Sequence, residues 1–209
     1  KNDQYILRLA DTCLIWSHRL SECCGHAPVL EEDIALANTA LDLLGQARAL
    51  LSHVGDEDAL AFRRDEREFL NVTLAELPNG DFAFTTLRNF VLSSWALLMW
   101  QRLATSSDEQ LAAIAGKAVK EARYHREHAA DWVVRLGDGT EESTHRMASA
   151  LDRLWPYCAE LFDPDETDRE AAANGLGPAW SALEEAWRAD VSAVLQEAGM
   201  TLPAESAFR

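Results

Sequence analysis

The chain has 209 residues, of which 48% are hydrophobic, and carries a formal charge of −16 from 35 acidic and 19 basic side chains. That length suits one domain, residues 1–209, with a sizeable core, and the charge argues against nucleic acid or an anionic membrane as partner. No apolar run approaches the ~18 residues of a membrane-spanning helix, and the opening Lys1-Asn-Asp-Gln lacks a secretion-signal pattern, so a cytoplasmic location is expected.

Tyr5 to about Cys24 places Ile6, Leu9, Ala10, Cys13, Leu14 and Leu20 at helical spacing, and Gly25 stops the helix. Leu30 to about His53 forms a second helix. Glu31, Glu32 and Asp33 fill its first turn, where the macrodipole favours acids. Its apolar positions include Ile34, Ala37, Leu41, Leu44 and Ala47. The short connection through Pro28 makes these two helices antiparallel. Ala59 to Leu77 reads as a charged crossover helix, ended by Pro78-Asn-Gly80. Phe82 to about Ala104 is apolar all round from Phe90 to Trp100, as a buried or partner-facing helix would be.

A fourth core helix runs from about Glu109 to Leu136. Thr140 to Phe162 is a fifth helix, kinked at Pro156; residues 163–178 are loop-like, and Trp180 to about Ala198 is a last helix. Cys13, Cys23, Cys24 and Cys158 form no disulfide or metal framework and read as reduced thiols.

The segment from Lys117 to Trp132 sets a carboxylate and histidines among packing positions. Ala118, Glu121 (or Ala122), His125, Ala129 and Trp132 (or Val133) share one face. This resembles a core helix of a ferritin-like carboxylate bundle, in which Glu-x-x-His on two helices and Glu on the other two hold two metals. Hairpin arithmetic sets Asp42 near the level of Asp11, and Glu121 opposite Ser93. A full site would want carboxylates at all four places and two spaced histidines. The chain offers Asp11, Asp42-x-x-Gly45, Ser93 and Glu121-x-x-Tyr124. Three carboxylates remain at these relict positions, and both histidines are gone. Lys117 or Lys120 is then expected to supply the charge a metal would have supplied. Glu142-Ser-Thr-His145 has the strict spacing but reads as a solvent-facing first turn, and His125 and His128 read as hydrogen-bonded interior or interface residues.

Longer runs carry a more specific resemblance. They are Cys24-Gly-His-Ala-Pro28, Ala35-Leu-Ala-Asn38, Leu41-Asp-Leu-Leu-Gly-Gln-Ala-Arg48, Gly55-Asp-Glu-Asp58, Arg64-Asp-Glu66, Pro78-Asn-Gly80 and Lys120-Glu-Ala-Arg-Tyr-His125. Over nearly its whole length the chain is similar to the phenylacetic-acid catabolic family, on the side of its non-catalytic ferritin-like subunits. It departs from the family in a shorter loop near His53 to Gly55 and in lacking a further segment beyond Phe208.

The resemblance implies an all-α, ferritin-like four-helix bundle with a helical crossover and two added C-terminal helices. It implies a structural subunit of a multicomponent phenylacetyl-CoA 1,2-epoxidase, a monooxygenase. A catalytic sister subunit would hold the di-iron centre. A reductase with FAD and a 2Fe-2S cluster would bring electrons from NADPH. The subunit itself would hold no metal or cofactor and would form a hetero-oligomer. The competing class is a di-iron or di-manganese enzyme using Asp11, Asp42 and Glu121; a free-standing ligand-binding bundle is a third.

Overall fold

A computed structural model describes residues 2–203, so Lys1 and the tail around Phe208 lie outside the described residues. The described residues form nine α-helices and no strand. Four are long: α1 (Asn2–Ser21), α2 (Leu30–Val54), α5 (Phe82–Leu103) and α6 (Glu109–Gly137). α1 packs on α2, and α5 on α6, as two hairpins; α2 and α6 join the hairpins along one seam. This is the ferritin-like bundle expected from the sequence. Asp81 and Asp108 start α5 and α6 by accepting hydrogen bonds from Phe84 N–H and Leu111 N–H, which satisfies amides the helix cannot.

The crossover is not the single helix that its charge pattern suggested. It is broken into α3 (Glu57–Phe62), a 3-10 turn (Glu66–Glu68) and α4 (Thr73–Glu76). Asn71-Val-Thr is poor helix sequence. The buried carboxylate of Asp11 takes Leu70 N–H at 2.9 Å, a donor that a continuous helix would have used itself.

The C-terminal part differs from expectation in two places. Pro156 does more than kink a helix: α7 (Glu141–Leu154) ends before it, and Trp155–Phe162 continues as 3-10 helix. The expected loop holds α8 (Glu166–Ala173), started by Asp165, which accepts from Asp168 N–H. Trp180–Leu183 is then 3-10, and α9 (Glu184–Glu197) is the last described helix.

α5 is buried without interruption from Ala83 to Ala96. Its apolar excess is absorbed within the chain, because α7 and α9 pack against it. Trp187 donates its indole N–H to Val91 O at 2.9 Å and stacks on Trp155.

The inward face of α2 also differs from expectation. Its buried residues are Glu32, Leu36, Thr39, Ala40, Leu43, Gln46, Ala47, Leu50 and Leu51. Ile34 and Leu41, expected in the core, are 53% and 64% exposed. The helix is apolar on most sides, so the apolar positions alone do not say which side faces in. The structure buries the side that carries Glu32, Thr39 and Gln46.

Candidate functional site

The seam between α2 and α6 gathers the titratable side chains. Positions rise along α2 as they fall along α6, so the helices are antiparallel. His128 Nε2 lies 2.8 and 3.0 Å from the two oxygens of Glu32, and Trp132 donates its indole N–H to Glu32 at 2.7 Å. Further along, His125 Nε2 lies 2.8 Å from Asp42 Oδ2. At the far end His53 Nε2 meets Asp108 Oδ2 at 2.6 Å. The seam is closed by three histidine–carboxylate pairs.

The middle layer is the most perturbed. Glu121 stands beside Asp42 and Gln46, and burial followed by the neighbouring Asp42 carboxylate pushes its acid up to about 7; Gln46 and Lys117 act in the opposite direction. Burial lowers the His125 imidazole, with the hydrogen bond to Asp42 opposing. The hydrogen bond to Glu32 raises His128. Tyr124 stacks on the His128 ring at 5.9 Å with its own side chain 57% exposed.

Beside this layer lies a cavity of about 10 Å³, lined by Thr86, Asn89 and Ser93 of α5, Leu36 of α2, and His125 and His128 of α6, among others. Ser93 Oγ is buried there and has no hydrogen-bond partner among the described residues. The space is close to the least that admits one water.

The positions inferred from the sequence separate into groups. Asp42 and Glu121, expected opposite Asp11 and Ser93, stand beside each other. Asp11 does not join them. It is fully buried and is gripped by Arg64 through bonds of 2.9 and 2.5 Å, with Leu70 N–H as third donor. Cys13 is the α1 residue that reaches the middle layer, with Sγ 3.8 Å from Gln46 Oε1. Two residues are ~200° apart around a helix, so Asp11 and Cys13 point to opposite sides. Ser93 faces the cavity with His125, not Glu121. Gly45 is on the exposed side of α2, with open space where a Cβ would stand. Glu142 and His145 face solvent.

The expected lysine compensation is not present. Lys117 and Lys120 are exposed and make no hydrogen bond or ion pair among the described residues; Lys117 acts on Glu121 only through space. Arg64 compensates Asp11 and His128 faces Glu32, while His125 shares a hydrogen bond with Asp42. Glu32 was missed, since the macrodipole already accounts for an acid in the first turn of α2. Its spacing to Leu36, Leu43 and Gln46 was the available signal.

A carboxylate di-metal centre needs four acids and two imidazoles with free lone pairs converging on one space. Here the oxygens of Asp11 are taken by Arg64 and those of Glu32 by His128 and Trp132, while Ser93 and Tyr124 stand where an acid and an imidazole would be required. Among the described residues no group of three or more His, Cys, Asp or Glu is arranged to hold a metal ion. The residues present do not fit such a centre. No described helix is long and apolar enough to cross a membrane.

The model of one protein family, phenylacetic acid catabolic protein, matches residues 2–209. Among individual proteins, a 1,2-phenylacetyl-CoA epoxidase subunit of Escherichia coli (strain K12) is 50% identical over 211 aligned residues, which cover 98% of this chain and 85% of that protein.

Proposed function

The chain belongs to the phenylacetic acid catabolic protein family, and we propose that it is a structural, non-catalytic subunit of a multicomponent phenylacetyl-CoA 1,2-epoxidase. The observation that carries this reading is that the buried acids Asp11 and Glu32 and the half-exposed Asp42 are already paired. Arg64, His125, His128 and Trp132 pair Asp11, Asp42 and Glu32 from within the chain. Such pairs hold a bundle together and leave little free for ligation. In this reading the di-iron centre belongs to a catalytic partner subunit, and FAD, a 2Fe-2S cluster and NADPH to the reductase that feeds it. This chain scaffolds the catalytic subunit in a hetero-oligomer.

Metal analysis of the purified chain, with co-purification against a co-expressed di-iron sister subunit, tests the proposal. The expected result is no stoichiometric metal on this chain alone and a stable complex with the sister. The rival reading, a di-iron or di-manganese enzyme using Asp11, Asp42 and Glu121, has Asp11 taken by Arg64 against it. Two irons or manganese per isolated chain would transfer the assignment to it.

A further inference from the structure

Of the six asparagines in the chain, Asn79 and Asn174 are each followed by glycine. An Asn-Gly doublet is open to self-modification, because glycine has no Cβ to keep its backbone nitrogen away from the asparagine side chain. The structure holds the two doublets in opposite ways.

Asn79 is locked. Its Nδ2 donates to Arg19 O at 2.8 Å and to Glu22 Oε2 at 3.2 Å, and its Oδ1 accepts from the buried Arg88. The side-chain amide cannot turn toward Gly80 without giving up all three bonds. Asn174 follows the last residue of α8 at the surface. Its side chain is exposed and makes no hydrogen bond among the described residues. Gly175 N–H is held by one backbone bond, 3.2 Å to Ala172 O. Such an end of a short surface helix opens at little cost.

From this contrast we infer that Asn174 is a site of spontaneous deamidation, and that the fold protects Asn79 from the same reaction. Gly175 N–H gives its proton to solvent, and the nitrogen attacks Asn174 Cγ. The new C–N bond expels the side-chain nitrogen, which takes up a proton and leaves as ammonia, and a cyclic succinimide remains. Water opens the ring at either carbonyl. One opening gives aspartate; the other gives isoaspartate, in which the main chain runs through Cγ. The reaction needs no oxidant, metal or enzyme.

The place matters because residues 174–176 tie α8 to the connection between α5 and α6. Ser107 N–H donates to Gly175 O at 2.9 Å, Ser107 Oγ to Asn174 O at 3.2 Å and Ser106 Oγ to Leu176 O at 2.5 Å, and Leu176 is buried. Isoaspartate adds one carbon to the main chain, turns the Asn174 carbonyl into a free carboxylate and displaces each acceptor after it. The new charge also stands at the C-terminal end of α8, where the macrodipole disfavours an acid. Conversion therefore loosens this join.

Peptide mapping by mass spectrometry tests the inference on the full chain, incubated folded at pH 8 and, in parallel, unfolded in urea. Three hydrogen bonds on Asn79 against one at Gly175 should make Asn174 convert at least ~10-fold faster in the folded chain, ~1.4 kcal/mol of barrier. In urea the two positions should convert at the same rate. Asn174→Gln, whose longer side chain closes the ring poorly, should abolish conversion there and keep the wild-type melting temperature. The isoaspartate form, separated by ion exchange, should melt below the unmodified chain and be cut faster between residues 173 and 180. Asn174→Asp, with the charge but the ordinary main chain, should lose less. If Asn174 keeps its amide as long as Asn79 does in the folded chain, the inference is overturned. An isoaspartate form as stable and as protease-resistant as the unmodified chain would overturn the part given to this join.

Discussion

Arg64→Met is the sharpest probe of how the crossover is held. Asp11 is fully buried and the Arg64 side chain is 11% exposed. The guanidinium spans both carboxylate oxygens and also donates to Leu60 O and Glu68 O. Met keeps most of the volume and removes the charge and every donor. Asp11 would retain only Leu70 N–H. Breaking a buried pair by deleting one partner costs ~3–5 kcal/mol, a large part of the ~5–15 kcal/mol that stabilises a typical domain.

Urea denaturation at pH 7 measures this directly, with limited proteolysis between residues 63 and 72 reporting local loosening. Replacing both partners, Asp11→Leu with Arg64→Met, removes the stranded charge and should recover most of the loss. A cost below ~1 kcal/mol for Arg64→Met, or a double variant no more stable than the single one, would refute this account of the pair. Either result would mean that the two charges are solvated in a way this geometry does not allow.

Glu121→Gln should change stability in a pH-dependent way. The glutamate is raised from 4.5 to about 7, so its proton stabilises the fold fully below about pH 4.5, and that contribution is lost as pH rises through 7. The variant should match wild type near pH 4.5 and be more stable near pH 8. At ~1.4 kcal/mol per pH unit the upper bound is ~3 kcal/mol, which solvent screening of a partly open group reduces to ~1 kcal/mol. A pH-independent difference between the two denaturation curves would contradict this. Ser93→Ala removes a buried hydroxyl without a partner among the described residues and should shift stability by less than ~1 kcal/mol in either direction; a loss above ~2 kcal/mol would show that Oγ is bonded to a water in the cavity.

The long helices were legible because Gly25, Pro78-Asn-Gly80 and Gly137 punctuate clear helical periods. The inward side of α2 was not. Ile34 and Leu41 define an apolar stripe as good as that of Leu36 and Leu43, and only packing against α1 and α6 selects between them. α8 was hidden by the acidity of its segment, although Asp165-x-x-Asp168 is a helix-start pattern. Level arithmetic found Asp42 and Glu121. It failed for Asp11, because level says nothing about direction around the helix. Arg64, its partner, was visible only as part of a family-like run; nothing local links positions 11 and 64.

The seam explains why polar side chains occupy the join between the two hairpins. The inward face of α6 is largely alanine, with Ala115, Ala118, Ala122 and Ala129 all buried. Sliding α6 by one turn along α2 would exchange small residue for small residue over much of its length, at little cost in packing. The same slide would strand Glu32 without His128 and Trp132, part Asp42 from His125, and part His53 from Asp108. Stranding a buried acid such as Glu32 costs ~3–5 kcal/mol, far more than the methyl contacts could discriminate. Apolar burial therefore drives the hairpins together, and the histidine–carboxylate pairs fix where they stop.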